Sequence, residues 1–234
     1  MTTVLQFSGG KDSLACLQLL KPRWHEIIVC WVNTGMAFPE TVDFMERIRM
    51  QVPHFHEVRS TQTIQQDGYP ADVMPVARST FGQLVEPSRA PRFQSRYVCC
   101  GAALWIPMAQ AMRELSATVV IRGQKGSDAL RSPHTRGLQD GIDYQFPLHN
   151  WTDEEVYAYL QREQVELPPN YRYMNTSLDC WNCTAYLEEN RGKFDYLRVH
   201  HPEKHRFLTA RLHELADALD SAAEPLHQIL EVSL

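Results

Sequence analysis

The sequence predicts an α/β protein with a doubly wound, mainly parallel sheet and a helical C-terminal region. Short apolar runs of strand length alternate with amphipathic helical segments over about the first fifty residues. Residues 27–32 (IIVCWV) and 119–121 (VVI) are continuously apolar, which is typical of strands buried on both faces. The final segments, 186–196, 204–218 and 225–232, show only helical patterns. Alternating strands and helices build parallel sheets through right-handed crossovers.

Length and composition narrow the class of protein. The 234 residues are enough for one sizeable domain, predicted as a nucleotide-binding part over residues 1–188 with a helical extension over 189–234. A net charge of -5 argues against a broad, non-specific nucleic-acid surface. No apolar run approaches the roughly 18 residues of a membrane span, and no signal peptide is evident. We therefore expect a cytoplasmic protein, in which six cysteines indicate metal or redox chemistry rather than structural disulfides.

A glycine-containing loop follows the first predicted strand, which covers residues 3–7. Its sequence is SGGKDS, residues 8–13, and residues 14–20 then have a helical pattern. Glycines allow close approach of the backbone, and the N–H groups of a first helical turn have no intrahelical partners. Lys11 adds a positive charge. The loop therefore predicts an anion site at a helix N-terminus.

Two further polar turns follow predicted strands. Residues 33–36 (NTGM) come after the strand 27–32, and residues 122–126 (RGQKG) come after the strand 119–121. Ligands of parallel sheets bind beyond the carboxyl ends of the strands, so we expect the loop at residue 8 and the turn at Asn33 to face one cleft. Residues 60–95, rich in proline, are interpreted as a long loop with short helical pieces and a candidate binding segment.

Four of the cysteines form two pairs, Cys99-Cys100 and Cys180-x-x-Cys183. Four thiolates can hold an iron–sulfur cluster or complete a tetrahedral zinc site. Adjacent side chains seldom both bind one small ion, so the spacing favours a cluster over zinc. A redox-active disulfide and two unrelated buried pairs stay open as alternatives. Cys16 and Cys30 are interpreted as buried core residues.

The loop SGGKDS resembles the pyrophosphatase loop of the adenine nucleotide alpha-hydrolase superfamily, which includes ATP pyrophosphatases, tRNA thiolation enzymes and sulfonucleotide reductases. Over roughly residues 3–188 the chain also resembles the phosphoadenosine/adenosine phosphosulfate reductase family. Beyond the loop, the matching stretches are NTGMAFPET at 33–41, the Arg96-x-x-Cys-Cys segment, the Gly123 turn with Arg131, FPLHNWTDEEVYAYL at 146–160 and SLDCWNCT at 177–184.

The resemblance implies a set of site residues. Lys11 and Asp12 are the candidate catalytic residues. The candidate nucleotide-binding residues are Ser8, Gly9, Gly10, Lys11, Asp12, Ser13, Asn33, Gly35, Gly123 and Arg131. In the iron–sulfur members, the two cysteine motifs bind one [4Fe–4S] cluster, which implies the ligands Cys99, Cys100, Cys180 and Cys183, with zinc as the alternative. The nucleotide would be ATP, with Mg²⁺, or adenosine phosphosulfate.

Departures from the family shape the functional hypotheses. Family reductases carry a nucleophilic cysteine in a C-terminal tail, whereas no cysteine follows Cys183 here. Leu104 replaces a basic residue, and Asn33 stands where aspartate is common. The first hypothesis is an ATP pyrophosphatase-type enzyme that adenylates a substrate for sulfur transfer. The alternatives are a sulfonucleotide reductase using an external thiol and a non-catalytic nucleotide- or redox-sensing module.

These hypotheses imply different partners. A sulfur-transfer enzyme would use a sulfur-donor protein and an acceptor such as a nucleic acid or a small molecule. A reductase would take its electrons from a thioredoxin-like protein. No hypothesis requires a membrane, and the sequence leaves the oligomeric state open, with a homodimer as one option.

Overall fold

The computed structural model describes residues 1–128, 134–177, 180–189 and 191–232. The strands are β1 (Thr2–Gln6), β2 (Ile27–Asn33), β3 (Phe55–Arg59), β4 (Tyr69–Ala71), β5 (Phe93–Ser95), β6 (Ala117–Ile121), β7 (Gly137–Gln139) and β8 (Ile142–Gln145). The α-helices are α1 (Lys11–Leu19), α2 (Pro39–Gln51), α3 (Ile64–Asp67), α4 (Thr80–Val85), α5 (Arg96–Cys100), α6 (Ile106–Glu114), α7 (Asp153–Arg162), α8 (Arg191–His200) and α9 (Pro202–Val232).

The chain divides into two compact units. The first comprises Met1–Ser60 and Ile106–Asp179, and the second comprises Thr61–Trp105 and Cys180–Leu234. The domain boundary proposed above after residue 188 stays a prediction. Across the described ranges, none of the helices combines the length and the apolar character needed to cross a membrane.

The first unit contains the predicted parallel sheet. Its six strands have the order β3-β2-β1-β6-β8-β7, and only the edge pair β7–β8 is antiparallel. Strand β1 lies between β2 and β6, with Gln6 opposite Cys30 and Leu5 opposite Ile121. The carboxyl end of β1 is therefore flanked by the ends of β2 and β6. This arrangement brings the loop after β1 between the two polar turns that the sequence singles out.

Helices cover both faces of this sheet, which confirms the doubly wound fold. Successive side chains of a strand point to opposite faces, and two separate cores follow from that alternation. On one face, Leu5 and Val29 pack with apolar residues of α1, α2 and α7. On the other face, Val4 and Cys30 pack with Met112 and its neighbours in α6.

The second unit is built around a feature that the sequence analysis missed. Residues 60–95 were expected to be a loop with helical pieces, and α3 and α4 agree with that expectation. However, β4 also pairs with β5 in a short parallel ladder, in which Tyr69 lies opposite Phe93. Strands of three residues give too little alternation to be recognised from sequence.

The C-terminal helices also differ from the expected ones. The helix expected to start at residue 186 begins at Arg191, and the two helices expected over 204–218 and 225–232 form the single helix α9. Pro225 lies inside α9. Proline removes one helical hydrogen bond, and the exposed residues around it leave the freed carbonyl open to water. The expectation that Pro225 starts a new helix was therefore wrong.

Candidate functional site

The loop 8–13 forms the tight strand-to-helix turn that the sequence predicts. Gly9 has a left-handed φ of +78°, and a Cβ there would lie 2.7 Å from Cε of Met45. The N–H of Gly10 donates to Oγ of Ser8 at 3.3 Å, and α1 begins at Lys11. Gly9 therefore has a conformational role, because a larger residue would be strained at this positive φ and would also push against the end of the Met45 side chain.

Gly123 allows a second backbone to approach the start of α1. A Cβ at this position would lie 2.6 Å from the carbonyl carbon of Asp12 and 2.8 Å from the backbone nitrogen of Ser13. Real Cβ atoms essentially never come so close to backbone atoms. The turn after β6 thus contacts the loop after β1, as the shared carboxyl edge of the sheet predicts.

Two buried lysines and three aspartates form one charged group, called here the lysine–aspartate cluster. Nζ of Lys11 lies 2.9 Å from carboxylate oxygens of both Asp12 and Asp153. Nζ of Lys125 lies 2.8 Å from Asp12, 2.9 Å from Asp128 and 3.1 Å from Asp153. The lysine side chains are 4% exposed, whereas the three carboxylates are 27–45% exposed. The carboxylates therefore form the solvent-facing side of the cluster.

Burial and ion pairing act in opposite directions on these groups. Burial alone would lower the pKa of Lys125, but hydrogen bonds to Asp12 and Asp128 outweigh burial and raise that pKa. Burial would raise the pKa of Asp153, but hydrogen bonds from Lys11 and Lys125 hold that pKa below its usual range. Both shifts favour the charged forms of Lys125 and Asp153.

These shifts predict how stability depends on pH. The lowered pKa of Asp153 contributes stability above its ordinary value of 3.8, and this contribution is lost as the pH falls through the folded-state pKa. The raised pKa of Lys125 contributes stability up to its ordinary value of 10.5 and loses it at higher pH. We expect Asp153→Asn to lower the free energy of unfolding at pH 7, with a difference from wild type that shrinks below about pH 4. Urea unfolding at several pH values measures this difference.

The matched control for this measurement is Asp43→Asn, which removes an exposed carboxylate in α2. We expect the control to change stability little at any pH, because surface substitutions usually have small effects. A constant deficit of Asp153→Asn from pH 7 to pH 3 would contradict the pairing of Asp153 with the two lysines.

A tyrosine closes the helical end of the loop. The backbone N–H of Lys11 donates to the hydroxyl oxygen of Tyr171 at 2.6 Å, and a Cβ on Gly10 would lie 3.2 Å from the same oxygen. The ring centroid of Tyr157 lies 5.8 Å from Nζ of Lys11 and 6.5 Å from that of Tyr171. The backbone N–H of Lys11, which has no partner within the helix, therefore binds the hydroxyl oxygen of Tyr171. Helix N-termini bind anionic oxygens at this position.

The turn after β2 is held by one hydrogen bond within the turn and one to the neighbouring strand β3. The amide of Asn33 donates to Oε1 of Glu57 at 2.9 Å, and its oxygen accepts the N–H of Gly35 at 2.9 Å. Gly35 has a φ of +75°. Burial would raise the pKa of Glu57, but hydrogen bonds from Asn33 and Arg49 keep that pKa below its usual range. Asn33 is thus at the expected edge of the sheet, fixed by a carboxylate on the neighbouring strand.

All four paired cysteines belong to the second unit. Cys99 and Cys100 end α5, and Cys180 and Cys183 begin the second segment of this unit. A π-helical turn, Gly101–Trp105, directly follows the first pair. Such turns are frequent at functional sites.

The segment around Cys183 is anchored by three polar contacts, of which two are buried and one is partly buried. They are Thr184 Oγ1 to the carbonyl of Pro70 at 2.5 Å, Asn182 Nδ2 to Gln62 Oε1 at 3.0 Å and Lys193 Nζ to the carbonyl of Cys183 at 2.8 Å. The first two contacts join residues more than a hundred positions apart, and the third links Cys183 to α8, so together they fix the second cysteine pair within its unit.

The paired cysteines influence one another electrostatically. Burial, assisted by the neighbouring thiols of Cys100 and Cys183, raises the pKa of the Cys99 thiol to about 12. In the residues that the structure describes, no three His, Cys, Asp or Glu side chains form a group that could hold a metal ion. The assignment of the four cysteines as ligands therefore stays a prediction.

Cys16 and Cys30 have the structural role that the sequence predicts. Both are fully buried. Burial raises the pKa of each thiol to about 12. Both therefore stay protonated and behave as small core residues.

The structure brings together part of the predicted nucleotide site and adds residues to it. Gly123 contacts Asp12, and Lys11 joins Asp12 in the lysine–aspartate cluster. Arg131 lies outside the described residues. Lys125, Asp128, Asp153 and Tyr171 are not among the site residues predicted from the sequence. The signal for Lys125 was its place in the turn after β6, but the sequence alone does not show that β6 adjoins β1.

The parallel sheet, with its loop at the carboxyl end of a central strand, defines the class as an α/β protein of the adenine nucleotide alpha-hydrolase-like fold. The fold is shared with a solved phosphoadenylyl-sulfate reductase from Candida auris, a phosphate complex, with a TM-score of 0.51 and 20% identity. That match covers 77% of this chain and 82% of the other. The family described as the phosphoadenosine phosphosulfate reductase domain matches residues 2–186, and the chain belongs to this family.

Related proteins include enzymes with different names. A protein named sulfate adenylyltransferase subunit 2, from Hyphomonas neptunium, is 24% identical over 97% of this chain and 73% of its own length. A protein named phosphoadenosine 5'-phosphosulfate reductase, from Alteromonas mediterranea, is 24% identical over 83% of this chain and 74% of its own length. Both names denote enzymes that act in sulfur metabolism.

Proposed function

We propose that the chain binds ATP at the loop 8–13 and adenylates an acceptor with release of pyrophosphate, in support of sulfur transfer. The observation that carries this proposal is the lysine–aspartate cluster. The two buried lysines beside the loop suit phosphate binding, and the three partly exposed carboxylates suit Mg²⁺. The relative named sulfate adenylyltransferase subunit 2 supports an adenylation reaction.

The net charge of the lysine–aspartate cluster favours ATP bound with Mg²⁺ over a sulfonucleotide bound without a metal ion. Three carboxylates and two lysines give a net charge of about -1, which would repel a free phosphosulfate group. A magnesium ion shared between the aspartates and the phosphates would reverse this repulsion, because Mg²⁺ binds one or two carboxylates together with substrate phosphates. Asp12, Asp128 and Asp153 are the candidate oxygen ligands.

The proposed reaction assigns roles to Lys11, Asp12 and the start of α1. An acceptor oxygen attacks the α-phosphorus of ATP, the bond to the bridging β-phosphate oxygen breaks, and pyrophosphate leaves. Lys11 and the N–H groups at the start of α1 stabilise the negative charge that develops on the phosphate oxygens. Asp12 orients Lys11 through their 2.9 Å ion pair. Asn33, Gly35 and Gly123 complete the nucleotide side of the site.

We further propose that Cys99, Cys100, Cys180 and Cys183 hold one [4Fe–4S] cluster, with zinc as the alternative. Both pairs lie in the same unit, and the donor set consists of thiols alone, which suits iron–sulfur and zinc chemistry. When bound, such a cluster could bind sulfur or serve a structural role. The chain's own contribution is to hold the second pair through Thr184, Asn182 and Lys193.

The decisive experiment measures pyrophosphate release from ATP and Mg²⁺ with sulfate and other candidate acceptors. We expect Lys11→Met to lower this rate by about a hundredfold or more, because it removes a charge next to the reacting phosphate. The control is Lys21→Met, an exposed lysine after α1, which should keep the wild-type rate. The absence of wild-type turnover with every acceptor would overturn the adenylation proposal.

The alternative reaction is measured in the same preparation. Sulfite release from adenosine phosphosulfate with added thioredoxin, without pyrophosphate release from ATP, would assign the chain to sulfonucleotide reduction. The relative named phosphoadenosine 5'-phosphosulfate reductase favours this alternative. Iron and sulfide analysis of anaerobically purified protein tests the cluster separately. Cys99→Ala and Cys180→Ala should lose both elements, whereas Cys16→Ala should keep them.

A further inference from the structure

The hydroxyl of Tyr171 lies at the position that the loop 8–13 offers to a phosphate oxygen. The backbone N–H of Lys11 donates to this hydroxyl at 2.6 Å. A Cβ built on Gly10 would lie 3.2 Å from the same oxygen, so the hydroxyl lies directly beside the Gly10–Lys11 peptide. An N–H group in the first turn of a helix has no partner within the helix and donates to a bound anion. The hydroxyl is therefore placed where the proposed function needs an anionic oxygen.

Tyr171 and a phosphate exclude one another at this N–H group. An acceptor oxygen lies about 2.7–3.2 Å from the nitrogen that donates to it, along a nearly linear bond. A phosphate oxygen bound to the N–H of Lys11 would therefore lie in the space that the hydroxyl oxygen of Tyr171 fills. Binding of a phosphate at Lys11 requires the tyrosine side chain to move away.

The backbone that carries Tyr171 is held independently of its hydroxyl. The N–H of Tyr171 donates to the carbonyl of Pro168 at 3.1 Å, and the N–H of Tyr173 donates to the carbonyl of Asn170 at 2.9 Å. Asn170 is 2% exposed, and its amide donates to the carbonyl of Thr176 at 3.0 Å. Tyr171 itself is only partly buried. Rotation of its side chain therefore leaves these backbone bonds intact.

We propose that Tyr171 competes with phosphate for the N–H of Lys11 and thereby weakens the binding of pyrophosphate, the leaving group of the adenylation reaction. This inference rests on the proposed function, which assigns the phosphates to the loop 8–13. A phosphate oxygen is charged and accepts a stronger hydrogen bond than a neutral hydroxyl does, so phosphate displaces the tyrosine. The hydroxyl binds the N–H again when pyrophosphate leaves, and this exchange favours product release.

The test measures the affinity of the full chain for inorganic pyrophosphate with Mg²⁺ by isothermal titration calorimetry. It compares wild type, Tyr171→Phe and Tyr173→Phe. We expect Tyr171→Phe to bind pyrophosphate about three- to tenfold more tightly, because one neutral hydrogen bond no longer competes. Tyr173→Phe is the matched control, because it removes a tyrosine hydroxyl two positions away and keeps the bond between Lys11 and Tyr171. Its affinity should equal that of wild type.

Nuclear magnetic resonance of the Lys11 backbone amide supplies a second readout, which a change in overall stability does not imitate. Addition of pyrophosphate to wild type should shift the Lys11 amide resonance, since the acceptor of its hydrogen bond changes from a hydroxyl to a phosphate. In Tyr171→Phe the resonance should start from a different position and reach a similar one at saturation. In Tyr173→Phe it should follow wild type throughout the titration.

Three results would overturn the inference, and they separate it from the proposed function. Equal or weaker pyrophosphate binding by Tyr171→Phe, in a chain whose wild type releases pyrophosphate from ATP, would remove the role of Tyr171 alone. A Lys11 amide resonance that saturating pyrophosphate leaves unchanged would show that the phosphates bind away from this N–H group. Absence of pyrophosphate binding in wild type and both variants, together with no turnover of ATP, would remove the inference and the adenylation proposal together.

Discussion

Gly123→Ala should destabilise the first unit by about 2–3 kcal/mol and weaken nucleotide binding by more than tenfold, since added atoms in a tightly packed place force backbone shifts. The added Cβ would lie 2.6 Å from the carbonyl carbon of Asp12, so either the turn after β6 or the start of α1 must move. Backbone atoms, unlike the end of a flexible side chain, have little freedom to give way. Urea unfolding and ATP titration measure the two effects.

Gly101→Ala is the matched control for this substitution. The nearest side-chain atom to a Cβ at position 101 is 3.9 Å away, and the residue is helical. Alanine there should leave stability and nucleotide affinity near the wild-type values. If Gly123→Ala behaved like this control, the close contact between the turn after β6 and the loop would be wrong.

Lys125→Met should lower the free energy of unfolding by about 2–3 kcal/mol at pH 7. Removing one partner of a buried ion pair costs about 3–5 kcal/mol when the remaining charge is fully buried. Here the three carboxylates are 27–45% exposed, so water screens part of their repulsion and the expected cost is smaller. Methionine keeps most of the side-chain volume, which separates the loss of charge from the loss of packing.

The effect of Lys125→Met on the free energy of unfolding should also depend on pH in the acid range. As the pH falls through the lowered pKa of Asp153, this carboxylate takes up a proton, and part of the repulsion that Lys125 relieves disappears. The stability difference between Lys125→Met and wild type should therefore shrink on acidification, as it should for Asp153→Asn. Lys21→Met should show no difference at either pH. Equal free energies of unfolding for Lys125→Met and wild type at pH 7 would show that the lysine–aspartate cluster is not formed.

The main sheet could be predicted because its signals are local and strong. The run 27–32 is long and apolar enough to identify a buried strand, and the shorter run 119–121 consists only of β-branched apolar residues. Strands β4 and β5 have three residues each, and their pairing joins Tyr69 to Phe93 across an intervening loop and helix. No local pattern encodes such a pairing. The helix start predicted at Pro225 was wrong for the opposite reason. Proline is a strong local signal for the first turn of a helix, but here it lies inside the continuous helix α9.

In the candidate site, too, features with a local sequence pattern could be predicted, and features that depend on long-range packing could not. The loop 8–13 could be recognised because its glycines, lysine and position after a strand occur together in the sequence. Asp153 lies in the family-like stretch 146–160 and starts α7, which Thr152 and Glu155 cap, but no pattern in that stretch marks it as a site residue. Its contact with Lys11 depends on the packing of α7 beside α1, which brings together residues 142 positions apart, and its contact with Lys125 depends on the turn after β6. Such packing is a property of the folded chain rather than of any motif.

The short ladder of β4 and β5 has a consequence for the order in which the chain folds during synthesis. Its residues Ala71 and Phe93 are buried against Leu215 of α9, more than a hundred residues further along the chain. A ribosome adds about 5–20 residues per second, so the ladder waits on the order of ten seconds for its cover. During that interval its apolar face is exposed to solvent, and a chaperone that binds nascent chains would find its target there.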